Sequence, residues 1–156
     1  MKEIYDRNIA KEWFKYGLSK DDDFFMRFMI YWLAFNWLYN ERGERKEHEK
    51  ISRFYEDHKR LFDKYDPFSD PAIEIFQKGP VDDGRDPEYS HSDLNYRGVK
   101  RNDACSLLLT MYCVRCNLFH GSKSLRCQRD QDLVRDSATI LGGYLKALLE
   151  DDGFHE

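Results

Sequence analysis

The sequence predicts an all-α protein, a bundle of about five or six helices. Its apolar residues step by three and four, as in Phe24, Phe28, Trp32, Phe35 and Tyr39, and again in Val134, Ala138, Leu141, Leu145 and Leu148. No strand-like alternation of any length accompanies them. Four Pro and nine Gly in 156 residues argue against long disordered tracts. Aromatic residues at 15% and charged residues at 35% suit amphipathic helices with strongly polar outer faces. The length fits one domain, residues 1–156, with no internal repeat or linker.

Residues 1–16 place Ile4, Ile9, Trp13 and Phe14 among charges and form the first helix, with Gly17 as its stop. Ser19 to Asp23 supplies N-cap candidates and acids for the start of the second helix, expected from about Asp22 to Arg42. That helix is apolar nearly all round, because Phe25, Met29, Leu33 and Trp37 fill much of the side opposite the Phe24 stripe. Such a helix is either the centre of the bundle or shared with a second subunit. Asn36 is its polar exception, and its amide either holds a neighbouring helix or supports a site.

After Gly43, the stretch Glu44 to Tyr65 reads as one charged helix with a stripe of Ile51, Phe54, Tyr55, His58, Leu61, Phe62 and Tyr65. His48 and His58 read as surface residues in this polar setting. Asp66-Pro67 breaks the helix, and Ser69-Asp70-Pro71 caps a short one through Phe76 or Gln77. Lys78 to about Asn95 is irregular: either a solvated connection or a loop from which Tyr89, His91, Tyr96 and Arg97 reach toward a ligand. The next helix runs from Arg101-Asn102-Asp103 to Phe119, with Leu107, Leu108, Met111, Val114 and Leu118 on its apolar side and Gly121 as its stop. The last spans about Arg129 to Leu149.

The formal charge of −4 excludes a histone-like, tail-driven nucleic-acid binder. Its distribution is uneven. Between Arg97 and Arg135 eight Lys or Arg face three acids, a local +5, and the rest of the chain carries −9. This block either attracts a polyanion or is a solvated basic face. There is no basic-then-apolar leader, so a cytoplasmic chain with reduced Cys105, Cys113, Cys116 and Cys127 is expected. The longest apolar run, Phe24 to Tyr39, contains Arg27 and Asn36 and is short for a membrane span.

Reactive chemistry concentrates in Arg115-Cys116-Asn117-Leu118-Phe119-His120-Gly121, inside the basic block. His120 is an acid–base group near neutral pH. Arg115 is a permanent cation able to grip phosphate oxygens in two-pronged fashion. Together they suit phosphoryl transfer. Five steps of about 100° put them about 140° apart on an ideal helix. Either the helix unwinds near Phe119-His120-Gly121 or Arg115 wraps around it.

Arg115 to His120 resembles the arginine–four residues–histidine signature of the HEPN superfamily, named for its higher-eukaryote and prokaryote nucleotide-binding members. Phe28 to Tyr39 is similar to that group's early aromatic helix. Val114 to Lys123, followed by Arg129-Asp130 and the final helix, is similar to its signature region. The resemblance spans about two-thirds of the chain. It implies a HEPN-like bundle that dimerises with the signature helices near the two-fold axis. It also implies metal-independent endoribonuclease activity, in some members as a toxin paired with a nucleotidyltransferase-like antitoxin, in others in RNA processing or defence. On this resemblance RNA is the substrate and no cofactor is needed. His120 transfers protons, Arg115 holds the phosphate, and a second copy's histidine supplies the complementary acid or base. Asn36, Asn117 and Lys123 are supporting candidates. Cys116 departs from the pattern, since Asn, Asp or His often follows the signature arginine.

Two alternatives stand beside this reading. A non-catalytic module binding nucleotide, RNA or protein uses the same basic block. A zinc site would take Cys113, Cys116, His120 and Cys127, although a predicted mid-helix Cys pair is an unusual zinc knuckle.

Overall fold

The computed structural model describes residues 2–40, 45–78, 103–119 and 126–150, with side chains from Asp6 onward. In chain order the elements are α1 (Lys2–Leu18), α2 (Phe24–Tyr39), α3 (Glu47–Asp57), α4 (Lys59–Phe62), α5 (Glu74–Lys78), α6 (Ala104–Phe119) and α7 (Gln128–Leu149). Two single 3-10 turns, Pro67–Ser69 and Pro71–Ile73, lie between α4 and α5. Among the described residues there is no strand, so the protein is an all-α bundle. None of its described helices is long and apolar enough to cross a membrane.

α2 begins where the Asp23 carboxylate accepts the Met26 backbone N–H at 3.0 Å, satisfying one of the donors that a helix start leaves open. From there α2 packs between α1 and α7. Phe28, Ile30, Tyr31, Trp32, Ala34, Phe35 and Tyr39 are buried, each large one contributing about 1.5–3 kcal/mol of transfer free energy. Burial is not all round. Met26, Leu33 and Trp37 form a stripe left 36–48% exposed.

Gly17 does not end α1; it sits inside the last turn, where a Cβ would lie 2.6 Å from the Tyr31 ring. A Cβ on Gly142 of α7 would meet the other edge of that ring at 2.8 Å. Glycine at both places lets the ring lie between the two flanking helices. Arg7, buried in α1, donates from Nη2 to the Leu148 carbonyl near the end of α7 and closes the same three-helix layer.

The long helix expected from Glu44 to Tyr65 is two helices. His58 leaves helical geometry (φ −128°, ψ 24°), and its Nδ1 lies 2.9 Å from the Phe54 carbonyl. Its ring lies 4.2 Å from that of Phe54 and is half-buried, not a plain surface residue. The turn lets α3 pack on α6 while α4 turns to α7. Asp66 and Asp70 cap the two 3-10 turns, accepting from Phe68 N at 3.0 Å and Ala72 N at 2.9 Å. Asp70 therefore supplies the cap expected at Ser69-Asp70-Pro71.

A run of ring contacts links these elements: Trp32 to Phe35 at 5.4 Å, Phe35 to Phe54 at 6.0 Å, Phe54 to Phe62 at 5.9 Å and Phe62 to Tyr144 at 5.2 Å. Tyr65 lies edge-on to Tyr144 and donates its hydroxyl to Asp70 at 3.1 Å. Lys78 ends α5, and the rest of the expected irregular stretch, Gly79 to Asn95, lies outside the described residues. Tyr89, His91, Tyr96 and Arg97 are outside them too, as are Arg42, Gly43 and Gly121.

Tyr65 also explains Gly143: a Cβ there would fall 2.4 Å from the ring. Gly143→Ala gains about 1 kcal/mol of helix propensity, but displacing a ring held by Tyr144 and Asp70 costs about 1–3 kcal/mol. A net loss of about 1–2 kcal/mol is expected in urea unfolding. The same substitution in a Tyr65→Ala background should lose that penalty, and equal costs in both backgrounds would refute the clash.

Candidate functional site

α6 starts where Asp103 accepts the Ser106 backbone N–H at 3.2 Å. It is enclosed from Ser106 to Val114, and Cys116 and Asn117 are enclosed as well. Arg115 is the break in that enclosure. It lies just before the last turn of the helix, and its side chain keeps 24% of its surface.

Two helices hold the guanidinium, and a third acts on it through Glu47. Its Nη1 lies 3.3 Å from Glu47 Oε2 of α3. The other Glu47 oxygen accepts the Tyr39 hydroxyl from the end of α2, at 2.5 Å. On α6 itself Tyr112 and Phe119, three residues before and four after, lie on the arginine's own face. Arg115 Cζ is 5.9 Å from the Tyr112 ring centre and 4.8 Å from that of Phe119. Both are within cation–π range. Cys116 Sγ is a weaker acceptor 3.8 Å from Nη1.

Electrostatics fix the protonation states. Burial, the largest single influence, pulls the Arg115 pKa down, but the Glu47 carboxylate together with Cys116 and Tyr39 outweighs it and holds the group above its ordinary value. Arg115 is therefore a permanent cation. Burial, then the bond to Glu47, pushes the Tyr39 phenol far above its ordinary range, so it stays a donor. Nε is enclosed without a hydrogen-bond partner, and Nη1 serves Glu47. Nη2 makes no hydrogen bond among the described residues, which leaves it as the donor for a ligand. The two-pronged grip expected from sequence becomes a one-sided grip while Glu47 stays in place.

The other expected site residues separate. Asn36 is half-buried on α2 and is not among the Arg115 contacts. Asn117 is 3% exposed, buried within the bundle and two positions from Arg115, about 200° around the helix. His120 and Lys123 lie outside the described residues, as does the expected helix break at Phe119-His120-Gly121. Cys113 and Cys116 are enclosed in the core, Cys105 is half-buried and Cys127 is exposed. Among the described residues no group of three or more His, Cys, Asp or Glu converges for a metal.

Of the basic block, Arg115, Arg126, Arg129 and Arg135 are described; Arg135 pairs with Asp132 at 3.0 Å and Asp136 at 3.1 Å. A separate open cavity of about 460 Å³ is lined by Asp6, Arg7, Tyr39, Lys50, Arg53 and His58, among others. Its charges are mixed, and Arg115 is not part of it.

Sequence reading missed Glu47 and the roles of Tyr39 and Tyr112. Glu47 stands in a run of seven residues, Glu44 to Lys50, in which six are charged, and its partner is 68 residues away. No local spacing distinguishes it from its neighbours. Tyr112 carried a signal, since its step of three to Arg115 puts both on one helix face. No protein-family model, curated protein or solved structure matches the chain.

Removing the Glu47 carboxylate strands a half-buried cation and a buried phenol donor together. Glu47→Ala should cost about 1–3 kcal/mol in denaturant unfolding, Glu47→Gln less, because the amide oxygen still accepts from Tyr39. Asp57→Ala, which breaks the exposed 3.8 Å pair with Arg53, should cost under about 0.5 kcal/mol. An equal small cost for all three would show that Glu47 is only a surface partner.

Proposed function

We propose that the chain is a HEPN-like, metal-independent endoribonuclease acting at Arg115 and His120. The observation that carries this is Arg115. A permanent cation stands near the C-terminal end of α6 with its Nη2 left for a ligand, and His120 follows it in the signature spacing. In the proposed reaction the RNA 2′-oxygen attacks the adjacent phosphorus and the bond to the 5′-oxygen breaks. The products are a 2′,3′-cyclic phosphate and a 5′-hydroxyl. One histidine accepts the 2′-proton and the other, from a second copy, protonates the leaving oxygen. Arg115 stabilises the charge on the pentacoordinate phosphorus. A supporting role for Lys123 belongs to this proposal, as does an antitoxin of nucleotidyltransferase type; Asn36 and Asn117 stand apart from Arg115.

The homodimer is also part of it. The stripe of Met26, Leu33 and Trp37 is apolar surface that a second copy would cover. Light scattering should give twice the chain mass. A monomer at all concentrations would remove the shared acid–base step.

A second reading has an observation of its own. Glu47 already neutralises Arg115, and the residue after it is an enclosed cysteine, an arrangement suited to binding without cleavage. Incubation with a mixed RNA pool in the presence of a chelator separates the two. Wild type should release fragments with cyclic phosphate ends. His120→Ala should lower the rate by about 100- to 10,000-fold with RNA binding kept, and Arg115→Ala should weaken both. Binding without cleavage by wild type leaves the binding module, and cleavage that survives both substitutions defeats the site.

A further inference from the structure

We infer that Phe119 is a stacking platform for one unstacked nucleobase beside the phosphate held by Arg115, which makes single-stranded nucleic acid, not a duplex, the ligand of this face. The inference rests on the reading of Arg115 as a phosphate-binding group and adds the ligand's form and a second contact.

Phe119 is 55% exposed, more than Tyr16 at 49%, Met26 at 48% or Leu18 at 47%. A phenylalanine left in water at the end of an otherwise enclosed helix forgoes much of its transfer free energy. Among the described residues its ring meets Arg115, whose Cζ lies 4.8 Å from the ring centre. The guanidinium therefore occupies part of the ring's surroundings, and over half of the side chain's surface remains open. Tyr112, itself buried, backs Arg115 from the preceding turn, so this face of α6 presents a cation followed by an open ring along the helix.

That order matches the chemistry of a single strand, in which phosphate and base alternate. A cation takes the phosphate and an adjacent aromatic face takes the base. In a duplex the bases are stacked on one another and unavailable to such a ring. Stacking needs no particular base, because each has a π-face, so the platform is sequence-tolerant. It also needs no 2′-hydroxyl, so single-stranded DNA binds this face without being cleaved. Glu47 is the opposing charge here. It lies on the Nη1 side of the guanidinium, and the open ring belongs to α6.

The test uses the full chain and uncleavable 2′-O-methyl RNA oligonucleotides carrying 2-aminopurine at successive positions. With wild type, fluorescence should be quenched at one position, and single strands should bind at least tenfold more tightly than the same sequence as a duplex. Phe119→Leu should weaken binding about 5- to 150-fold and abolish the quenching. An abasic residue at the quenched position should weaken wild type by a similar factor and leave Phe119→Leu unchanged. Phe119→Trp, which keeps an aromatic face should the leucine variant not fold, should bind as tightly as wild type or more so.

Equal affinity for duplex and single strand overturns the inference. So does an abasic penalty of the same size in wild type and Phe119→Leu, which would give Phe119 a merely structural role. The two proposals fail separately. Base-coupled binding without cleavage of natural RNA removes the nuclease and keeps the platform. Cleavage with no coupling between Phe119 and the base does the reverse.

Discussion

The bundle depends on how closely α2 can be approached from both sides. The Tyr31 ring lies between Gly17 of α1 and Gly142 of α7, at positions where a Cβ would come within 2.6 and 2.8 Å of it. Interiors are packed densely enough that neither helix can yield this space cheaply. The seating of Tyr31 fixes the rotation of α2 about its axis. It thereby aims Trp32, the next residue, and Phe35 and Tyr39, one and two turns further on, toward α3 and α6. The Tyr39 hydroxyl reaches Glu47 because its ring is edge-on to Phe35 at 5.0 Å and to Trp32 at 6.2 Å. The candidate site thus inherits its geometry from an apolar fit elsewhere in the bundle.

The polar link from Tyr39 through Glu47 to Arg115 does a different job. An exposed ion pair contributes little, but here both partners keep under a third of their surface and the carboxylate also receives a buried phenol. Loss of Glu47 leaves both of its partners unmatched, so the link specifies where α3 lies on α6 as well as stabilising it. It also sets a constraint on chemistry. Any anion at Arg115 would meet a guanidinium whose charge is shared with Glu47 and would have to compete with that pairing.

Much of this architecture could be read from spacing alone. The three- and four-residue steps of α2 and α7, the Asp23 cap and the Asp66-Pro67 break are local patterns whose physical basis lies within a few residues. Two misreadings came from tertiary demands. Gly17 resembles a helix stop, yet its role is to make room for a ring from another helix. The Ile51 to Tyr65 stripe is continuous in sequence, yet His58 breaks the helix so that α3 and α4 can face different partners. At the candidate site, Arg115 stands out in sequence as a cation within a basic, titratable stretch. Its tie to Glu47 does not, because a pairing across 68 residues leaves no mark in a run of charged neighbours.

α3 is the lightly anchored member of this arrangement. Ile51 is its one buried residue, whereas α2 has seven and α7 ten. Helices with so little buried surface open locally at free energies well below that of global unfolding. Each such opening would carry Glu47 away from Arg115 and restore a full unit of positive charge at the end of α6. The electrostatic character of this face is therefore set by a fluctuation. Hydrogen exchange of the α3 amides would report how often the cation is unmasked, and the rate of ligand capture at Arg115 can be no faster than that opening if the pairing must first be broken.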